Sequence, residues 1–282
     1  PKASNLLYLD KLEFLGVYYT FLYEAIRALI MQIGFMNLNS PLLLDLVVIR
    51  IVEPASKLRS IELLETYFGI HHRRQLYYQS APKWLYLKTQ IETTVVDFAK
   101  KHYAFNFDLL FYDVTTLYFE SFEEDELRKQ GFSKDNKSQQ PQILVALMVT
   151  KEGFPIAYEI FTGNTFEGHT ILPSIKSFIE KHQIAHFTVI ADAAMISSSN
   201  IEALQSNNIN YIVGARLGNI STDLLNNIDK QISREDGRSI RVKTDKGYLI
   251  CSYASNRYKK DKYEMEKQIE KAKSVVEKPS KN

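Results

Sequence analysis

The residue pattern changes near Phe107 from one typical of helices to one typical of strands, and this change restricts the folds that the chain can adopt. Before Phe107 the chain is rich in Leu, Ile, Tyr and Lys and poor in Gly, which is typical of helices. After it, short runs of β-type residues alternate with polar turns. These runs are Leu109 to Asp113, Thr116 to Phe119, Ile143 to Thr150 and Ile156 to Phe161. The pattern predicts a helical region followed by consecutive strands.

Beyond these strands the pattern alternates between helix and strand. Apolar residues recur at helical spacing from Ile171 to His182, and Phe187 to Ala191 is a continuous apolar run typical of a buried strand. The remaining expected elements are a helix capped by Ser197 to Asn200, strands at Tyr211 to Gly214 and Gly247 to Tyr253, and a charged helix at Lys259 to Lys278. This order predicts an α/β, RNase H-like mixed sheet flanked by helices.

We expect two regions along the chain: a helical region over residues 1–104 and an RNase H-like domain over residues 105–282. The polar segment 217–246 is expected to be an insertion before the closing helix. Within the first region, Ile49 to Tyr67 predicts two helices separated by a turn, with Ser56 as the N-cap of the second. Such a pair has the shape of a DNA-reading helix-turn-helix, although most helical pairs simply pack on each other.

The composition is typical of a soluble globular protein, and the formal net charge is +2. No apolar run approaches the roughly 20 residues needed to cross a bilayer, and no secretory signal is evident, so a cytoplasmic protein without membrane contact is expected. Cys251 is the single cysteine, which excludes an intramolecular disulfide. Basic residues concentrate from Arg257 to Lys281 and from His71 to Arg74, the latter beside Tyr77, Tyr78 and Lys83. Both groups are compatible with phosphate contacts.

Two aspartates follow apolar strand-forming runs. Asp113 comes after Leu109 to Tyr112, and Asp192 comes after Phe187 to Ala191. We expect both at the carboxyl ends of buried strands, where ligands gather in open α/β sheets. A buried carboxylate is costly unless it is paired or binds a cation, and Mg²⁺ or Mn²⁺ would relieve the repulsion between two of them. The alternative is that each aspartate only caps the next element.

Several stretches of the sequence resemble, in order and spacing, the DDE transposases of the insertion-sequence-four superfamily. The resemblance covers roughly Arg50 to Lys273, including a helical segment Arg50 to Leu58. Its motifs are Phe111-Tyr112-Asp113-Val114-Thr115-Thr116-Leu117-Tyr118-Phe119-Glu120, Gly131-Phe132-Ser133-Lys134-Asp135, Gly163-Asn164-Thr165 and Ile190-Ala191-Asp192. The resemblance implies a triad of two Asp and one Glu that binds catalytic metal, with Asp113 and Asp192 as the first two members.

The resemblance also implies that the third acid lies on the closing helix, in a pattern of a basic residue, three others, Glu, six others, then Lys. Glu266 fits with Lys262 and Lys273, and Glu264 fits equally with Lys260 and Lys271, while the Tyr and Arg of the superfamily pattern are missing in both registers. Glu266 is the predicted ligand, because it lies nearer the edge of an apolar stripe expected to face the sheet. Asp261 would lie closer still if the helix started early. The stripe consists of Met265, Ile269, Ala272 and Val276.

The activity implied by the resemblance is metal-dependent cleavage and strand transfer of double-stranded DNA, at transposon ends and at a target, with a homodimer on DNA as the expected assembly. Phosphate contacts are expected from Arg257, Lys259, Lys260 and Lys273. No nucleotide-binding glycine motif occurs, so nucleoside triphosphate is not required. Two alternatives stay open: a stand-alone nuclease of the same fold, and a truncated or decayed transposase that binds DNA without cutting it.

Overall fold

A computed structural model describes residue 13 and residues 16–132, 137, 139–184, 186–193, 197–215 and 217–277. The chain divides into two compact units. The first contains the chain up to Phe111 together with Leu147–Ile160, and the second contains Tyr112–Ala146 together with the chain from Phe161 onward. No helix among the described residues is long and apolar enough to span a membrane.

Helices dominate the first unit, as the sequence predicts. They are α1 Thr20–Ile33, α2 Pro41–Val52, α3 Lys57–Phe68, α4 Arg74–Trp84 and α5 Lys88–Tyr103. The expected N-cap is confirmed, because the Ser56 hydroxyl accepts a hydrogen bond from the Arg59 backbone N–H. A core of Ile49, Leu63 and Leu64 is almost fully buried between α2 and α3. Burial of these side chains fixes the packing of the two helices.

The α2–α3 pair packs through one buried side of α3. One side of α3 buries Ile61, Leu64 and Phe68. The other side exposes Glu62, which forms an ion pair with Arg59, and Glu65, whose carboxylate lies 3.3 Å from His71 Nδ1. The two helices therefore pack on each other in the first unit, and a DNA-reading role for the pair stays a prediction.

A buried carboxylate joins three segments of the first unit. The Asp45 side chain of α2 accepts a hydrogen bond from the Tyr23 hydroxyl of α1 at 2.6 Å, and its other oxygen lies 2.6 Å from His72 Nε2, beyond α3. Asp45 is only 7% exposed. Burial, and then the hydrogen bond to Asp45, raise the pKa of Tyr23. Asp45 therefore stabilises the arrangement of α1, α2 and the segment that leads to α4.

We expect Asp45→Ala to lower the free energy of unfolding by about 2 kcal/mol, because the change leaves two partly buried polar partners, Tyr23 and His72, unsatisfied. Chemical denaturation of the purified chain measures this. Glu62→Ala is the matched control, since it removes an exposed carboxylate with an ion pair on the neighbouring helix and should cost less than about 1 kcal/mol. Equal stability of the Asp45→Ala variant and the native chain would contradict the structural role.

The main sheet has five strands in the order β3-β2-β1-β4-β5. Strands β4 and β5 are parallel, and Val189 lies opposite Tyr211. The strands are β1 Leu109–Tyr118, β2 Gln142–Val149, β3 Pro155–Thr162, β4 Thr188–Ala191 and β5 Asn210–Val213. Helix α6, Ile171–His182, connects β3 to β4, and α7, Ser198–Ser206, connects β4 to β5. The mixed α/β, RNase H-like fold predicted from the sequence is confirmed.

The segment between β5 and the last helix forms a small substructure of its own. Helix α8, Thr222–Gln231, is followed by the antiparallel strands β6, Ser239–Thr244, and β7, Gly247–Ser252. These two strands form a separate sheet. The strand expected at 247–253 therefore pairs outside the main sheet, and the interruption of the core extends beyond residue 246.

The last helix, α9, Ser255–Glu277, is exposed from Asn256 to Val276. The expectation that its apolar stripe faces the sheet is wrong in this structure, since Met265 is 53% exposed and Ile269 is 47% exposed. The physical reason lies in the composition of α9, whose few apolar residues are spread among many charges. Ion pairs at i,i+4 spacing support such a helix without a packing partner. They are Arg257–Asp261, Lys260–Glu264 and Lys262–Glu266.

Candidate active site

Asp113 lies in the middle of β1, with the strand continuing to Tyr118. The expectation of a strand end at Asp113 is therefore wrong. The two strands predicted at Leu109 to Asp113 and at Thr116 to Phe119 form a single strand, β1. Tyr112 and Val114 are buried, and the Tyr112 hydroxyl donates a hydrogen bond to Thr170 Oγ1, at the start of α6, at 2.7 Å. Because side chains alternate along a strand, Asp113 lies on the opposite face, where it is exposed.

Asp192 directly follows β4, the strand beside β1 in the sheet. Val189 and Ala191 are buried, so alternation places Asp192 on the less buried side of its strand, as it does Asp113. The predicted position of Asp192 just after an apolar strand is confirmed. Asp113 and Asp192 thus come from neighbouring central strands of the sheet. No charge is buried at either position, because both residues are exposed.

The surroundings of Asp192 depend on a glycine that sequence reasoning did not single out. The Asp192 carboxylate accepts a hydrogen bond from the Ala193 backbone N–H at 2.5 Å. Gly214, just after β5, donates its backbone N–H to the Ala191 carbonyl oxygen. A Cβ atom at Gly214 would lie 2.9 Å from the Cβ of Ala193. Only glycine therefore allows the end of β5 to approach the backbone that holds Asp192.

Two of the resemblance motifs meet at Gln142, the first residue of β2. Gln142 is 2% exposed, and its side-chain amide donates hydrogen bonds to the carbonyl oxygens of Gly163 at 2.8 Å and Phe132 at 3.1 Å. A Cβ atom on Gly131 would lie 2.1 Å from the Gly163 carbonyl oxygen. Gly131 and Gly163 are therefore in direct backbone contact, which their separation in sequence does not reveal. The Ser133, Lys134 and Asp135 positions of the motif lie outside the described residues.

Acids in the loop after β1 are already engaged by neighbours. Asp125 accepts hydrogen bonds from the backbone N–H and the guanidinium of Arg128, which lower the pKa of its carboxyl to about 2. Glu124 pairs with Lys129. Within the described part of the chain, by contrast, the Asp113 carboxylate has no hydrogen bond or ion pair. A free carboxylate of this kind is available to a cation.

Glu266, the predicted third acid, lies on exposed α9 with its carboxylate 3.9 Å from Lys262 Nζ. The alternatives Glu264 and Asp261 are likewise paired with basic residues of the same helix. Among the described residues, no group of three or more His, Cys, Asp and Glu side chains is close enough to hold a metal ion. The structure therefore presents Asp113 and Asp192 on adjacent strands but does not bring Glu266 to them.

The predicted DNA-contacting residues are exposed along α9. Arg257 lies 2.9 Å from Asp261, and Lys260 lies 3.8 Å from Glu264. Lys259 and Lys273 have no ion pair within the described ranges. Acids of the same helix thus offset part of its positive charge.

Comparison with known proteins gives a family match and several similar structures. A cryo-EM structure of the piggyBac transposase synaptic complex with hairpin DNA is 14% identical, covering 56% of this chain and 35% of that chain, with a TM-score of 0.36. The Mos1 transposase paired-end complex with the left transposon end is 11% identical, covering 74% and 63%, with a TM-score of 0.27. The Mos1 strand transfer complex is 10% identical, covering 73% and 62%, also with a TM-score of 0.27.

The chain thus spans about a third of the piggyBac transposase chain and somewhat less than two thirds of the Mos1 chains. No curated protein matches it. The family described as the transposase DDE domain matches residues 106–278, a range that includes β1 with Asp113, β4 with Asp192 directly after it, and all of α9. Since this match covers more than half of its length, the chain belongs to the transposase DDE domain family.

Proposed function

We propose that the chain is the catalytic core of a DNA transposase, which cuts and rejoins double-stranded DNA with divalent metal held by Asp113 and Asp192. One observation carries the proposal: in a DDE-family domain, one exposed carboxylate lies on β1 and another directly follows β4, the neighbouring strand. Residues 105–282 would form the catalytic domain, and residues 1–104 a helical region that contributes to DNA binding. The proposed DNA partners are transposon ends and a target, with a homodimer on DNA in the cytoplasm.

The donor groups at this position fit a hard divalent cation. Asp113 is without a hydrogen bond or ion pair in the described ranges, and Asp192 accepts a hydrogen bond only from Ala193 there. Carboxylate oxygens are the ligands that Mg²⁺ and Mn²⁺ prefer. When bound, such a metal supplies an activated water or hydroxyl and stabilises negative charge on a phosphate.

The chain itself would position the reacting groups. The buried Tyr112 and Val114 fix the orientation of β1 and hence of Asp113, while Gly214 holds the backbone at Asp192 close to β5. Exposed basic residues of α9 would contact phosphates without reading sequence. The residues proposed for this are Arg257, Lys259, Lys260 and Lys273. Such positioning is the protein's main contribution when a metal provides the electrostatic stabilisation.

The test is a paired measurement on the native chain with a duplex that contains an element end. A gel-shift titration across salt measures binding, and a cleavage assay with Mg²⁺ or with chelator measures strand cutting. We expect binding that weakens as salt rises and cutting that requires the metal. Cutting that persists in chelator would contradict the proposal. Binding without any cutting would favour a DNA-binding protein that lacks catalysis.

We expect Glu266→Gln, which removes the proposed third metal ligand, to lower the rate of DNA cleavage by at least about 100-fold. Residues that only hydrogen-bond to metal ligands already change metal affinity or activity by tenfold to about 100-fold when they are mutated. Glu264→Gln is the matched control, because it makes the same change two residues away on α9 and breaks a similar ion pair. Retained cleavage in Glu266→Gln would show that Glu266 is not a ligand. Loss of cleavage in Glu264→Gln alone would move the assignment to Glu264.

A further inference from the structure

The apolar residues of α9 form a stripe that is exposed to solvent. Met265, Ile269, Ala272 and Val276 lie on one side of the helix, because their spacing alternates between three and four residues. The 23 residues of α9 make a helix about 34 Å long. A long helix with an exposed apolar stripe is typical of one that packs against a partner surface.

The start of α9 is anchored to the segment that precedes β6. Only Tyr253 and Ala254 separate β7 from α9. The Ser255 hydroxyl and the Ser255 backbone N–H both donate hydrogen bonds to the Asp236 carboxylate, the latter at 2.6 Å. The bond from the hydroxyl, and then the bond from the backbone, lower the pKa of the Asp236 carboxyl. Because the connection is short and hydrogen-bonded, the stripe reaches its own sheet only if this anchor breaks.

A second apolar surface is exposed in the same compact unit, on the main sheet. On β1, Leu117 shares a face with Asp113, because side chains alternate along a strand, and it is 49% exposed. On β5, Ile212 is 57% exposed and lies opposite Ile190 of β4, which shares a face with Asp192. Exposed apolar side chains therefore lie on the same sides of the strands as the two candidate metal-binding carboxylates. We call Asp113, Leu117, Asp192 and Ile212 the open sheet face.

The charges of the two surfaces are complementary. Lys262 and Lys273 flank the α9 stripe on the side that carries Glu266, at about 100° per residue. Lys273 has no ion pair within the described ranges. On the open sheet face, Asp113 and Asp192 present two carboxylates that form no ion pair with any described residue. If the stripe covered an open sheet face, cations of α9 would therefore lie close to these carboxylates and attract them.

We infer that two copies of the chain exchange α9, so that the stripe of each copy covers the open sheet face of the other. The two contacts are identical and related by two-fold symmetry, as in most protein dimers. In this dimer Glu266 approaches Asp113 and Asp192 of the second copy, which supplies the third acid that the described part of a single chain does not bring to them. The placement of Glu266 rests on the proposed function, whereas the exchange itself rests on the two exposed apolar surfaces, the anchor and the charges.

Sedimentation velocity of the native chain over a concentration series tests the exchange. We expect a dimer whose dissociation constant rises by at least about 100-fold in Ile269→Glu and in Ile212→Glu, because each change places a charge in two apolar contacts that each lose about tenfold or more. Ser274→Glu is the matched control, since it adds the same charge on the exposed opposite side of α9 and should leave the constant unchanged. Circular dichroism melts verify that each variant keeps the native fold. A native chain that is monomeric at every concentration would overturn the exchange, as would an equal loss in Ser274→Glu.

Chemical crosslinking identifies which surfaces meet in the dimer. In a Cys251→Ser background, a chain with Ile269→Cys is co-expressed with a chain with Ile212→Cys, and the thiols are joined with a short bismaleimide. We expect a crosslinked heterodimer that requires both cysteines. Crosslinking of Ile269→Cys to its own kind would show that two α9 helices pair instead. A crosslink within one chain that carries both cysteines would show that α9 closes on its own sheet, and either result would overturn the exchange.

Complementation between inactive variants separates this inference from the proposed function. Asp113→Asn and Glu266→Gln chains should each fail to cut DNA, whereas their mixed dimer contains one site in which all three acids are intact. Co-expression should restore about a quarter of the native cleavage rate, since half of the dimers are mixed and one of the two sites in each is complete. No restoration would overturn the placement of Glu266 in the second copy. A native chain that dimerises and crosslinks as expected but never cuts DNA would refute the proposed function alone, and one that cuts DNA as a monomer would refute the exchange alone.

Discussion

Asp113→Asn is expected to lower the rate of DNA cleavage by at least about 1,000-fold while DNA binding stays nearly unchanged. The change removes a negatively charged metal ligand, and the loss of one electrostatic contact at a reacting centre already costs about 100-fold to 1,000-fold. The phosphate contacts lie elsewhere on the chain, so the affinity for DNA does not depend on this carboxylate. Cleavage and gel-shift assays on the same duplex measure the two effects.

The matched control is Asp245→Asn, which removes the same charge from an exposed turn between β6 and β7. This variant should cut and bind as the native chain does. Undiminished cutting by Asp113→Asn would contradict the metal-carboxylate mechanism. A loss of binding that parallels the loss of cutting would assign Asp113 to the fold or the DNA contact rather than to catalysis.

Gly163→Ala is expected to lower the free energy of unfolding by about 4 kcal/mol, an effect at the upper end for a single substitution. The added Cβ would lie 2.1 Å from the Gln142 carbonyl oxygen and 2.2 Å from the Lys129 carbonyl oxygen. Both are backbone atoms held by the mutual hydrogen bonds of Lys129 and Gln142, so neither moves cheaply. Urea denaturation provides the measurement.

Gly218→Ala is the control, because a Cβ there meets no atom of the described residues within 4 Å. It should change the free energy of unfolding by less than about 0.5 kcal/mol. A Gly163→Ala variant as stable as the native chain would show that the close packing of Gly163 on Gln142 is not formed.

Local patterns predicted the parts of the fold that depend on local chemistry. Ser56 is a helix cap because its hydroxyl reaches a backbone N–H three residues later, and such a contact can be inferred from the sequence alone. Asp192 follows β4 because a continuous apolar run ends there. Asp113 was expected at a strand end, since a charge inside a central strand is costly when both faces are covered. One face of β1 is exposed at Asp113 because no other element of the described chain covers that side chain there. Such long-range packing cannot be inferred from the sequence of the strand alone.

The candidate site could be predicted only in part for the same reason. Helical periodicity located α9, but whether Glu266 approaches Asp113 depends on how that helix packs, and its stripe is exposed in the structure. The contact between Gly131 and Gly163 joins segments far apart in sequence, so neither motif alone indicates it.

The central claim is that Asp113 and Asp192 together hold a divalent metal. Electron paramagnetic resonance of Mn²⁺ titrated into the native chain measures this directly, because bound Mn²⁺ is distinguished from free Mn²⁺ without reference to catalysis. We predict that the native chain and the Asp245→Asn control bind Mn²⁺, whereas Asp113→Asn and Asp192→Asn each weaken that binding strongly. Unchanged Mn²⁺ binding in both aspartate variants would contradict the account.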